Sequence, residues 1–150
     1  MGGRLVVGVD GSVTATLAVR WAAREAKLRG ATLDLISVWE IPTADVGFAF
    51  GYGGVTDEIL KGIEESAAEV LAKGAEAARD EAPGVQVETR AVQGQAADVL
   101  VSASGDADLL VVGSRGMGGF RELLLGSTSQ QCAHHAICQV VIVRHLDPAA

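Results

Sequence analysis

The chain has no apolar run longer than a few residues, far short of the roughly 20 that a helix needs to cross a bilayer. Its opening, MGGRLVVGVD, enters a strand pattern at once and holds no apolar signal-peptide core. These two absences predict a cytoplasmic protein without a membrane partner. Lysine is scarce, with only Lys27, Lys61 and Lys73, and the formal net charge is −7. A surface this acidic lacks the phosphate-neutralising patches that nucleic acids require, so no nucleic-acid partner is expected. The same charge constrains a polyphosphate ligand. Backbone donors, a nearby arginine or a bound divalent cation would have to overcome an unfavourable overall field. Cysteine is limited to Cys132 and Cys138. His134 and His135 lie between them, but the spacing fits no usual zinc pattern and adjacent histidines diverge on a helix. Small buried thiols are the simpler reading, and no directly bound metal is predicted.

Familiar nucleotide and phosphate signatures are missing too. There is no G-x-x-x-x-G-K-[ST] segment, hence no Walker lysine for β- and γ-phosphates. The first strand leads into GVDGS rather than G-x-G-x-x-G, which argues against a dinucleotide site. A receiver-type phosphoacceptor would need clustered acids at strand ends. Asp10 stands by itself after the first strand, and the third strand ends in Val92-Gln93-Gly94.

What is present is apolar and regularly alternating. With 49% hydrophobic residues, 150 residues suffice for one domain, residues 1–150, with a substantial core. Residues 5–9 are apolar and β-branched, the pattern of a strand buried on both faces. Asp10-Gly11-Ser12 breaks it. A helix over residues 14–29 follows, with Leu17, Ala18, Trp21, Ala22 and Leu28 on one face and Gly30 as its stop. A second strand covers residues 32–39. Residues 40–55 depart from the pattern, holding Pro42, four glycines and the aromatics Phe48, Phe50 and Tyr52. A loop of this length is either a plain crossover or a flap over a ligand.

Thr56 or Asp57 caps a long helix to residue 81, with Ile59, Ile63, Ala67, Val70, Leu71, Gly74 and Ala78 at helical spacing. The strand at residues 85–92 alternates, has a polar face and is placed at a sheet edge. A short helix after Gly94, a strand at residues 108–112 and a helix over residues 127–136 follow. The last strand runs from Val140 to Arg144. Alternating β and α elements with apolar strands predict an open, doubly wound α/β fold, a five-stranded parallel sheet with helices on both faces. Ligands in such sheets bind beyond the carboxyl ends of the strands, where strand order reverses.

The most informative stretch, GSRGMGGFRELLLGSTS, runs from Gly113 to Ser129 directly after an apolar strand. Two residues separate Gly113 from Gly116, and nine more precede Gly126-Ser127. Glycines permit close backbone approach and φ > 0 turns that aim successive N–H groups at an anion. A helix starting at Ser127 would add its positive dipole end, and Ser127, Thr128 and Ser129 would add hydroxyl donors. Arg115 is the cation of the early loop, with Arg121 further on. The alternative is a glycine-rich connection in which Gly118-Gly119 supply flexibility and Ser127 merely caps the helix.

The G-x2-G-x9-G-[ST] spacing, the opening VVGVDGS and the closing HHAICQVVIVR together resemble the universal stress protein family, over essentially all 150 residues. Members with this glycine motif bind ATP, and the resemblance implies the same ligand here. It implies strand order 3-2-1-4-5 and homodimerisation through the last strand, from Val140 to Arg144. Adenine and ribose contacts would fall on Gly8, Val9, Asp10 and Val38. Val112, Gly113, Arg115 and Gly116 would line the loop, and Gly126, Ser127, Thr128 and Ser129 would hold phosphates. Asp10 would accept from a ribose hydroxyl or lie near Mg on the phosphates; its plainer role is an Asx turn. Gln139 departs from the family's common proline, and Thr128 from a frequent valine.

These features point to an ATP-binding sensor or regulator in a stress response. Hydrolysis would be slow at most, because the stretch offers no placed base and no Walker-type lysine. The alternatives are a slow ATPase switch, a module for AMP or cyclic AMP, and a dimeric scaffold without nucleotide.

Overall fold

The computed structural model describes residues 2–41, 56–116 and 125–145. The apolar runs form the strands β1 (Arg4–Gly8), β2 (Thr32–Trp39), β3 (Gln86–Gln93), β4 (Leu109–Gly113) and β5 (Gln139–Val143). Between them lie the helices α1 (Val13–Arg29), α2 (Asp57–Glu81), α3 (Ala96–Ser104) and α4 (Ser127–His135). Every strand pairing is parallel, and the order is β3-β2-β1-β4-β5. This is the predicted doubly wound α/β sheet, with β3 at one edge and β5 at the other. The predicted flap lies outside the described residues from residue 42 onward, as do Gly118, Gly119 and Arg121.

Local signals set the helix ends. Ser12 caps α1 by accepting from the Ala15 N–H, and Gly30 closes it at φ 66°, a left-handed conformation that favours glycine. Thr56 caps α2 through the Ile59 N–H, 3.2 Å away.

Side chains along the central strands alternate between two cores. Leu5, Val7, Leu33, Leu35, Leu109 and Val111 pack with residues of α1 and α2 on one face. Val6, Ile36, Leu110 and Val112 pack with Leu100 of α3 and Cys132 of α4 on the other. The inward stripe of α1 keeps the predicted Ala18 and Ala22 but not the large residues. It is made of Ala15, Ala18, Val19, Ala22, Ala23 and Ala26, while Leu17 and Trp21 are half-buried and Leu28 is 83% exposed. Leu17, Trp21 and Leu28 share a flank of the helix, and the small residues beside them bring its axis close to the sheet. Gly74 does the same for α2, since a Cβ there would stand 3.2 Å from Leu35 Cδ1.

One buried charge interrupts the second core's face. Asp34 on β2, 1% exposed, accepts from Arg4 of β1 and, at 2.8 Å, from Arg90 of β3. The carboxylate is therefore paired twice, as burial demands. Its ion pairs tie three neighbouring strands together at the end of the sheet away from the carboxyl termini.

Candidate functional site

Strand order reverses between β1 and β4, because β1 connects outward to β2 and β4 connects the other way to β5. A cavity of about 480 Å³ opens at the carboxyl ends of these strands. That volume lies within the range of small-ligand sites. Gly8, Val9 and Asp10 line it from β1 and the turn after it, and Val38 from β2. Val112, Gly113, Arg115 and Gly116 contribute from β4 and its following turn. The start of α4 closes the ring with Gly126, Ser127, Thr128 and Ser129. The structure thus brings all of the sequence-predicted residues to one cavity.

It adds five that sequence reasoning missed: Ser12, Ala15, Ile36, Ala96 and Leu100. Ile36 precedes Val38 by two residues on the same strand face, so the strand period was a usable signal. Ser12 adjoins Asp10 in the turn. Ala15, Ala96 and Leu100 read as ordinary helix core, and only the packing of α1 and α3 over the strand ends turns them toward the cavity.

The motif glycines serve close approach rather than unusual backbone conformation. Of the glycines near the site, Gly11 has a positive φ, 85°, whereas Gly113, Gly116 and Gly126 do not. This corrects the expectation of φ > 0 at Gly113 and Gly116. A Cβ at Gly113 would stand 2.8 Å from the Thr14 carbonyl carbon and 2.9 Å from the Ala15 nitrogen, in the first turn of α1. A Cβ at Gly116 would stand 2.8 Å from Asp10 Oδ2. At Gly126 it would lie 3.4 Å from Arg115 Cα and 3.6 Å from the Gly116 nitrogen. The three glycines let α1, the Asp10 carboxylate and the α4 entry converge on one loop.

Asp10 takes the plainer of the two roles foreseen for it, the Asx turn. Its Oδ1 accepts from the Ser12 N–H at 2.9 Å, an Asx turn, while Oδ2 faces Gly116 across the cavity wall.

The helix α4 starts at Ser127, as predicted, while the alternative in which Ser127 caps it does not hold. The cap residue is Gly126, at φ −75°, and it supplies no side-chain bond; Ser127 is the first helical residue. The first helical hydrogen bond runs from the Gln130 N–H to the Gly126 carbonyl, at 3.0 Å. The N–H groups of Ser127, Thr128 and Ser129 precede it, at the positive end of the helix dipole and on residues that line the cavity. An anion is the natural occupant of such a position. The Ser129 hydroxyl is not a spare donor, however. It is buried and bonds inward to the Ser114 carbonyl at 2.9 Å and the Gly126 carbonyl at 3.0 Å. Its side chain braces the loop, while Ser127, whose hydroxyl accepts from Gln131, and Thr128 line the cavity beside it.

The model of the Universal stress protein family matches residues 1–144. The chain belongs to the universal stress protein family. A universal stress protein of Mycolicibacterium smegmatis is 38% identical over 149 residues, covering 97% of this chain and 49% of that relative. The chain therefore spans about half the length of the curated relatives it matches. Among solved structures, a universal stress protein in complex with cAMP is similar at a TM-score of 0.72 and 27% identity, covering 97% of this chain and 98% of the other. The universal stress protein from Archaeoglobus fulgidus in complex with dAMP is similar at 0.66 and 25%, covering 94% and 97%. Among the described residues, no helix is long and apolar enough to cross a membrane. No group of three or more His, Cys, Asp or Glu side chains converges there as a metal site.

Proposed function

We propose that this universal stress protein domain binds ATP and acts as a nucleotide-dependent sensor or regulator, with slow hydrolysis at most. The observation that carries the reading is the convergence of the Gly113–Gly116 turn, the α4 N–H groups and the apolar Gly8–Val9–Val38 wall on one cavity. The apolar end suits a base and its sugar, and the glycine end suits phosphates. Asp10, whose Oδ2 lies beside Gly116, would accept from a ribose hydroxyl or lie near Mg held on the phosphates. Backbone donors of this kind supply local positive potential despite the net charge of −7. Several such bonds, at roughly 1.5–3 kcal/mol each, support micromolar binding after ordering costs. Fast turnover would need a placed base and a Walker-type lysine as well; the sequence has no Walker lysine, and Asp10 is a poor base when it holds the ribose.

A nucleoside monophosphate is the second reading, favoured by the relatives solved with cAMP and dAMP. Calorimetry with ATP, ADP, AMP and cAMP separates the two. We expect affinity to rise with the phosphate chain and to rise further with Mg. A preference for a monophosphate would overturn the choice of ATP, and no binding of any of the four would leave the scaffold reading. The β5 edge is the proposed homodimer seam.

A further inference from the structure

Thr14 is not among the residues lining the cavity, yet its side chain bonds to the cavity loop. It sits in the first turn of α1, 6% exposed, and its hydroxyl donates to the Arg115 carbonyl across 101 residues of sequence. We propose that Thr14 is a positioning residue of the phosphate end of the site, acting by fixing the direction of the Gly116 N–H. The inference rests on the nucleotide reading above.

Peptide planarity supplies the link. In a trans peptide the carbonyl and the N–H of one unit point in opposite directions. The Arg115 carbonyl is turned to α1, so the Gly116 N–H of the same unit is turned away from α1, on a residue that lines the cavity. The preceding unit is held in the same manner from the other side. Its Ser114 carbonyl accepts from the Gly126 N–H at 2.6 Å and from the Ser129 hydroxyl at 2.9 Å. Two successive peptides are thus clamped by their oxygens, one from α1 and one from the entry to α4, which fixes the direction of the Gly116 N–H.

The tight seam at Gly113 strengthens this assignment. A Cβ there would be 2.7 Å from Thr14 Oγ1, so the loop and α1 meet without intervening space at this point. Valine at position 14 would replace the hydroxyl with a methyl of nearly the same volume. It would leave the Arg115 carbonyl without that donor, and the peptide could then rotate. Serine would keep the hydroxyl.

The test compares Thr14→Val and Thr14→Ser with the parent, measuring affinity for ATP and for adenosine. Thr14→Val should weaken ATP binding about tenfold, the weight of one hydrogen bond, and leave adenosine within about twofold. Thr14→Ser should restore ATP affinity. Unchanged ATP affinity in Thr14→Val would overturn the proposal, as would an equal loss for ATP and adenosine. If the parent binds neither ligand, the nucleotide reading falls by itself. The Gly116 amide then decides: its ¹H–¹⁵N shift should move in Thr14→Val and return in Thr14→Ser, and a stationary shift would sink the positioning role.

Discussion

Gly113, Gly116 and Gly126 are three glycines with three different neighbours, and their substitutions should behave differently. At Gly113 a side chain would meet the backbone of α1, which cannot yield, so any replacement there disturbs the fold as well as the site. At Gly116 it would meet the Asp10 carboxylate. Gly126 is the informative position. Its φ of −75° suits any residue, and an added Cβ would make only ordinary contacts, at 3.4 Å or more. Alanine should therefore be tolerated. Valine would set its branched methyls over the Gly116 nitrogen and the opening of α4. Gly126→Val should lose about a hundredfold in ATP affinity, the equivalent of one to two charge-assisted bonds. Its melting temperature should stay near the parent's. Calorimetry beside a thermal melt checks both, and parental ATP affinity in the variant would refute the phosphate assignment. The glycines and hydroxyls of the loop were legible through their spacing between a strand and a helix start, whereas Gly8, Val9, Val38 and Val112 came with the family resemblance. Ser129 was misread because a hydroxyl looks the same in sequence whether it faces a ligand or braces a loop.

At the scale of elements, α4 joins the site to the second core. Its first turn lines the cavity, and one turn later Cys132 is fully buried beneath it. Burial pushes the Cys132 thiol up to about 11 from the ordinary 9.0, and the same cause raises Cys138. The consequence for stability has a definite sign. Below about pH 9 both folded and unfolded chains keep the Cys132 proton, so the group has no effect on the balance. Between about pH 9 and pH 11 the unfolded thiol ionises and the folded one does not, so stability falls as pH rises. Urea unfolding across that window should show the decline. Cys132→Ala should flatten it in part, leaving the share of Cys138, while lowering stability at every pH through lost packing. A slope unchanged in the variant would contradict burial as the cause. The element pattern was largely readable, with boundaries shifted by a residue or so. The exception was α1, whose large side chains suggested a stripe that the alanines occupy, because closeness to the sheet rewards small volume there.

For the whole molecule, the two sheet edges are unlike. β3 carries Glu88, Thr89 and Arg90 exposed, a polar edge of the kind that discourages pairing. β5 is Gln139–Val143, with four half-buried apolar residues. The Ser114 N–H donates to the Val143 carbonyl, so Val143 and Val141 turn their backbone groups to β4, and Val140 and Ile142 turn theirs outward. If β5 is the dimer seam, proline at Val140 removes only an outward donor. Val140→Pro should then yield monomers by sedimentation while retaining ATP affinity, since the cavity lies within one chain. A dimer that survives this change would place the seam elsewhere.

Periodicity and turn chemistry in the sequence by themselves determined the alternating β/α order, the parallel sheet and the strand ends that carry glycine and polar groups. These depend on neighbours a few residues apart, which a linear pattern records. The tertiary structure alone decided that Ala96, Leu100 and Ala15 wall the cavity, that Ser129 braces the loop, and that Thr14 holds the Arg115 carbonyl. Each depends on which surfaces of distant helices meet at the reversal between β1 and β4. A threonine in a first helical turn carries no mark of the carbonyl it will find there.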